Sequence, residues 1–332
     1  MESDLDQEDA QHLGFFGIIK ESIHIVVSFR HIFTQITLAF VLPLSIVFLA
    51  HILISELLCG QIFDNEDQLL TTNIGSAKYT KISDILDSEY STFFIFTILY
   101  YIFLLILSLL STSAIVYTIA SIYTAKDVTF TKVINVVPQV WKRLMVTFIW
   151  SFIIICAYNF VALILLCLIA IMDLDVGGLD LLAFLIIYLI GIVYISIVWH
   201  LASVVSVLED LHGIQAMNKS SSLIKGNRLI ASAIFVTLNS SFVIIQGSMV
   251  IAGAKDASGV PGNRVGYEIF FLFLLVVLIL FGLVIQTVIY FVCKSCHHEN
   301  IDKSALADHL EEYRGDYMPL KSMDVQLESV HP

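Results

Sequence analysis

The chain has 332 residues, 58% of them hydrophobic and only 14% charged, whereas soluble domains run nearer about 45–50% apolar and about 25% charged. Its 17 Lys and Arg stand against 29 Asp and Glu, a formal net charge of −12, which excludes the basic surface of a nucleic-acid binder. Five cysteines in a chain of this length exclude a disulfide scaffold. What remains is an all-α, polytopic membrane protein.

Residues 1–12 open as MESDLDQEDA, acidic where a signal peptide is basic. They are expected to form a cytosolic N-terminus with no cleavable signal. Position 2 is Glu2, so N-myristoylation is excluded. The membrane domain is expected over 13–293 and a cytosolic tail over 294–332.

A helix needs roughly 20 apolar residues to cross the hydrocarbon core. Six windows qualify, at 34–54, 93–117, 144–172, 181–205, 229–252 and 269–293, and none holds Lys, Arg, Asp or Glu. Helix is the only spanning form for single segments, because backbone groups in lipid must be satisfied internally. Pro43 is placed to kink the first span. Lys and Arg set the orientation. Lys20, Arg30, Lys126, Lys132, Lys142, Arg143, Lys219, Lys225, Arg228, Lys294, Lys303, Arg314 and Lys321 fall on one side, and Lys78, Lys81, Lys255 and Arg264 on the other. Both termini are therefore expected in the cytosol, in a plasma membrane or endomembrane. The loop 55–92, with seven carboxylates from Glu56 to Glu89, is expected on the opposite side.

A short amphipathic stretch precedes each odd-numbered span. Before span one, Lys20, Glu21, His24, Ser28 and His31 share one helical face opposite Phe16, Ile19, Ile23, Val26 and Val27. Before span three, Lys132, Asn135, Gln139, Lys142 and Arg143 lie beside Val133, Val136, Val137, Val140 and Trp141. Before span five, Gln215, Asn218, Lys219 and Ser222 oppose Ile214 and Met217. The pattern resembles a threefold repeat of interfacial helix, span and return span. Such helices lie in the headgroup layer, and each basic residue there gains about 1 kcal/mol beside an anionic leaflet. Lys132, Lys142, Arg143, Lys219, Lys225 and Arg228 are the candidate headgroup contacts; the alternative is that these helices only anchor the bundle.

Asn159, Asn239, Gln246 and Gln286 lie inside the spans, with His51 and His200 near span ends. Intramembrane polar groups mark solute contacts or join helices by hydrogen bonds. The sequons at Asn218 and Asn239 fall in cytosolic and membrane positions, where neither is glycosylated.

The stretch CKSCHHEN, 293–300, closes span six. Cys293 and Cys296 with His297 match a c-type haem string literally, but haem is attached on the opposite side of the membrane from this one. Zinc would need a fourth ligand beyond Cys293, Cys296 and one histidine, with only His309 to hand. A redox pair lacks its βαβ setting. S-palmitoylation of Cys293 and Cys296 fits a cytosolic juxtamembrane position, as do two plain thiols. No cofactor is expected. Further on, Tyr317, Met318, Pro319 and Leu320 fit the Tyr-x-x-apolar pattern that clathrin adaptors read in extended form, and Pro319 favours extension at Met318.

Two segments carry a family resemblance: SVLEDLHGIQAMNKSSSLIKGN, 206–227, and HHENIDKSALADHLEEYRGDYMPLKSMDVQLE, 297–328. With the six spans they resemble a plant-type family of six-pass membrane proteins of unestablished function. Some of its members are labelled binders of poly(A)-binding protein. That label implies a tail motif resembling L-N-x-x-A-x-E-F-x-P. Leu306, Glu312 and Tyr313 fit it, while Ala307, Leu310 and Gly315 replace its Asn, Ala and Pro. The run Glu209, Gly213, Ala216 and Ser220 is distantly similar to the membrane domain of bacterial glycerophosphodiester phosphodiesterases. Their catalytic domain has no counterpart in this chain.

No nucleophile–base set, dinucleotide loop or nucleotide-binding loop is present, so the expected function is non-enzymatic. The leading expectation is a lipid-interacting scaffold or trafficking factor whose partner is membrane lipid. The alternatives are a small-solute channel or carrier lined by Asn159, Asn239, Gln246 and Gln286, and a tethered adaptor that binds a clathrin adaptor or another cytosolic protein through its tail.

Overall fold

Long apolar runs without internal breaks form long helices. The computed structural model describes residues 14–124, 128–171, 178–256 and 264–296. In chain order these form α1 (Phe15–Ser28), α2 (Arg30–Ile36), a π-helical turn (Thr37–Val41), α3 (Leu42–Thr71), α4 (Ala77–Tyr123), α5 (Phe130–Ile171), α6 (Gly178–Leu208), α7 (Ile214–Leu223), α8 (Arg228–Asp256) and α9 (Arg264–Cys296). The π turn has a local cause. Pro43 has no N–H to give and its ring crowds the carbonyl four residues back, so the helix widens just before it. Among the described residues, six helical segments are long and apolar enough to cross a membrane: Arg30–Thr71, Ala77–Tyr123, Phe130–Ile169, Asp180–Leu208, Arg228–Ala252 and Val265–Cys296.

Two expectations need correction. The segment 55–92 is helical on both sides of a tight turn at 72–76. There Gly75 takes φ 86°, and the Ser76 Oγ accepts the Tyr79 N–H at 3.1 Å to start α4. The 17 residues from Ser55 to Thr71 add about 25 Å of helix beyond the expected end of span one. Asn65 donates to Glu89 at 2.9 Å and Tyr90 to Glu66, so α3 and α4 stay paired out to this end. Second, the stretch before span three is not a separate helix. It is the first part of α5, a single 42-residue helix with Pro138 inside it. Only α1 and α7 stand apart from the spans that follow them.

The core sits at one end of the bundle. We call this the basal end; it holds α1, α7 and the end of α9. There Ile18 and Ile25 of α1, Phe33 and Ile36 of α2, Ile115 and Ile119 of α4, Val133, Val136, Val140 and Leu144 of α5, Leu201 and Val205 of α6, Ala216 and Leu223 of α7, Ile234 of α8 and Val288 to Cys293 of α9 form one buried cluster. The spacing of the α5 set, at i, i+3, i+7 and i+11, is one helical stripe. Toward the other end the packing thins, and Phe160, Leu163, Ile187, Val243, Ile244 and Phe273 are exposed. In a bilayer such faces meet lipid tails.

Candidate functional site

The basal end gathers most of the described polar contacts between distant segments. Glu209 and Asp210 follow the last turn of α6, and each finds a base on a different helix. The Lys294 Nζ donates to the Glu209 Oε1 at 2.8 Å, and the Tyr290 hydroxyl donates to the same oxygen at 2.6 Å. Lys294 also donates to the Tyr290 oxygen at 3.1 Å. Tyr290 and Lys294 are four residues apart on α9, so both face α6. Burial pushes the Glu209 carboxyl up, but the hydrogen bonds from Lys294 and Tyr290, with the charges of Lys294 and Lys219, outweigh that and hold it below the usual carboxylate value. Arg143 of α5 pairs with Asp210 at 2.5 Å.

Beneath these pairs lies a buried hydroxyl cluster. Thr147 and Ser206 meet Oγ1 to Oγ at 2.6 Å, and the Gly213 N–H donates to the Thr147 Oγ1 at 2.8 Å. Gly213 has φ 60° and ψ −131°, a conformation nearly closed to residues with a Cβ. A Cβ there would also sit 2.9 Å from Trp150 Cδ1. Ala216 is fully buried, and the Ser220 Oγ donates to the Val198 carbonyl at 2.8 Å. Glu209, Gly213, Ala216 and Ser220 are thus four contacts that fasten α7 and the turn before it to the spans. Among the described residues no group of three or more His, Cys, Asp or Glu could hold a metal ion.

The expected headgroup contacts divide. Lys142, Lys225 and Arg228 are exposed, as are Lys20, His24, Arg30 and His31. Arg143 is committed to Asp210, while Lys132 and Lys219 are half-buried and interact within the chain. The α1 helix packs through Ile18, Ser22 and Ile25. Its Phe16, Ile23 and Val27 remain 82%, 45% and 63% exposed.

The four intramembrane amides serve different places. The Tyr188 hydroxyl donates to the Asn159 Oδ1 at 2.8 Å, joining α6 to α5. Beside them Gly191 admits the Tyr158 ring, whose hydroxyl would lie 2.2 Å from a Cβ. Gln286 is buried and pairs with His200 Nδ1 at 3.1 Å, and the His200 ring stacks on Phe235. Asn239 donates to its own helix at Phe235 and lines a groove between α6 and α8. Gln246 is half-buried two turns further along α8.

Cys293 is 1% exposed within the core. As folded here its thiol has almost no open surface for the acyl transfer expected at Cys293 and Cys296. Cys296 is half-buried and accepts the Asn227 Nδ2 hydrogen bond at 3.1 Å. His297, His298, the poly(A)-type motif at 306–315 and the sorting motif Tyr317 to Leu320 lie outside the described residues.

Missed in the sequence were the ion pairs of Glu209 and Asp210 and the Thr147–Ser206–Gly213 cluster. Two adjacent acids beside a span end on the basic side were the available signal.

No curated protein and no solved structure matches the chain. The model of a domain of unknown function (DUF8558) matches residues 3–330, and the chain belongs to that family.

Proposed function

We propose that this is a non-enzymatic integral membrane protein whose basal end faces the cytosol and engages anionic lipid, acting as a scaffold or trafficking factor of the plasma membrane or endomembranes. The observation that carries this reading is the division of α1. One apolar edge is buried against α8 and α9, a second edge (Phe16, Ile23 and Val27) stays open, and Lys20 and His24 lie beside the open edge. A helix with that division lies in the interface, its open edge in the acyl boundary and its cations among headgroups. Lys142, Lys225 and Arg228 supply further exposed cations at the same end, and each gains about 1 kcal/mol beside an anionic leaflet.

The plant-type six-pass kinship belongs to the same proposal, and so does a repeated amphipathic pattern, carried before the third span by the first part of α5 and not by a separate helix. Its support is the sequence pattern around α1, the start of α5, and α7. The test is lipid retention by the full chain in nanodiscs of mixed anionic and zwitterionic lipid. Changing Lys20, Lys142, Lys225 and Arg228 together to Gln should abolish any enrichment of anionic lipid. Unchanged enrichment would overturn the proposal.

A further inference from the structure

The groove between α6 and α8 has a volume of about 480 Å³ and is lined by Ile192, Val193 and Ser196 of α6 and by Phe235, Val236, Asn239, Ser240, Val243 and Ile244 of α8. Phe235 of this lining stacks on His200, with ring centroids 5.1 Å apart. Further along α8, Val243 and Ile244 are 64% and 65% exposed. The groove therefore opens sideways from the bundle, within two of the six apolar helices.

Its polar lining decides the occupant. Asn239 lies about eleven residues past Arg228, about 16 Å along α8, which is near the middle of a hydrocarbon core about 30 Å thick. One N–H of its amide is used on the Phe235 carbonyl at 2.8 Å. Its Oδ1 accepts no hydrogen bond from the described residues. An amide oxygen open to hydrocarbon is costly unless a donor reaches it. Acyl tails carry no donor, and lipid headgroups lie about 15 Å away at either surface. A side chain on another transmembrane helix is the donor available at that depth.

We infer that this groove takes α8 of a second copy of the chain, with the two Asn239 side chains bonded to each other. Copies in one membrane share one orientation, so a twofold axis along the membrane normal puts identical residues at identical depth. An asparagine has a donor and an acceptor, so Asn239 is its own complement across that axis. Gln246 lies seven residues on, the period at which two parallel helices in left-handed packing meet again. Ser240 and Gly247 beside these amides are small, and a Cβ at Gly247 would meet nothing within 4 Å. The approach of a second helix is thus sterically open along the stripe. This pairing stands apart from the basal lipid reading and shares no residue with it.

The test is disulfide trapping of the full chain in its membrane. The background has Cys59, Cys156 and Cys167 changed to Ala, and Val243→Cys is introduced in the groove. Oxidation with copper phenanthroline should join two chains. Adding Asn239→Leu should lower the joined fraction about tenfold, the worth of an interhelical amide pair, while Asn239→Gln should retain it. Leu163→Cys, on the exposed face of α5, should join no chains. The inference is overturned if Val243→Cys fails to join chains, if Leu163→Cys joins them equally, or if Asn239→Leu leaves the fraction unchanged. It is also overturned if native mass spectrometry finds a monomer holding a lipid that Asn239→Leu releases. Should Asn239→Leu fail to fold, the comparison of Val243→Cys with Leu163→Cys still decides.

Discussion

Lys294 and Glu209 are 85 residues apart in the chain and meet at 2.8 Å, with 19% and 17% of their side chains exposed. The pair ties the end of the last span to the end of the fourth. Removing one partner leaves a half-buried charge with its desolvation uncompensated. Lys294→Met and Glu209→Gln should each cost about 2 kcal/mol, and Tyr290→Phe about 1 kcal/mol. Thermal unfolding in detergent, read by intrinsic fluorescence, checks the order.

The same pair sets an acid limit. The folded-state pKa of Glu209 lies below the ordinary carboxylate value. Its contribution is therefore complete above that ordinary value, about 4.3, and is lost as pH falls from there through the folded pKa. Wild type should lose thermal stability over that acid range. Glu209→Gln should be less stable at neutral pH and show a smaller loss on acidification. Parallel profiles of the two proteins would contradict the assignment.

Gly213 occupies a backbone conformation that a Cβ opposes, with Trp150 in the way as well. Gly213→Ala should cost about 1–3 kcal/mol from backbone strain. Adding Trp150→Ala removes the steric contact but not the strain, so it should not restore stability. Full restoration would show that Trp150 alone requires the glycine.

Gly191 lets Tyr158 cross to the Tyr188 carbonyl at 3.0 Å. Gly191→Val should displace that ring and loosen α5 from α6, at a cost of about 1–3 kcal/mol. Cysteine pairs placed across the two helices should then join more slowly than in wild type.

The six spans were legible because uninterrupted apolar runs of that length have one physical outcome in a bilayer. The extension of α3 and α4 was not, because charges such as Asp64, Glu66, Asp84 and Asp87 make a paired helix look like a loop. The separating signal was there: turn residues cluster only at Asn73 to Ser76. The amphipathic pattern before span three reads as a separate helix, yet Phe130–Ile171 is one continuous helix, and Pro138 in its early part is tolerated where the stripe from Val133 to Leu144 is buried. The basal ion pairs depend on which helix end lies beside which, a tertiary fact that spacing along one chain does not carry. The burial of Cys293 turns on the same fact, since its neighbour Lys294 is half-buried at the protein surface.

The most direct measurement is native mass spectrometry of the full chain released from nanodiscs holding anionic and zwitterionic lipid in equal amounts. Anionic lipid should be enriched on the wild-type protein and not enriched when Lys20, Lys142, Lys225 and Arg228 are all Gln. Equal retention of the two lipids by wild type, or enrichment that survives the four substitutions, would contradict it.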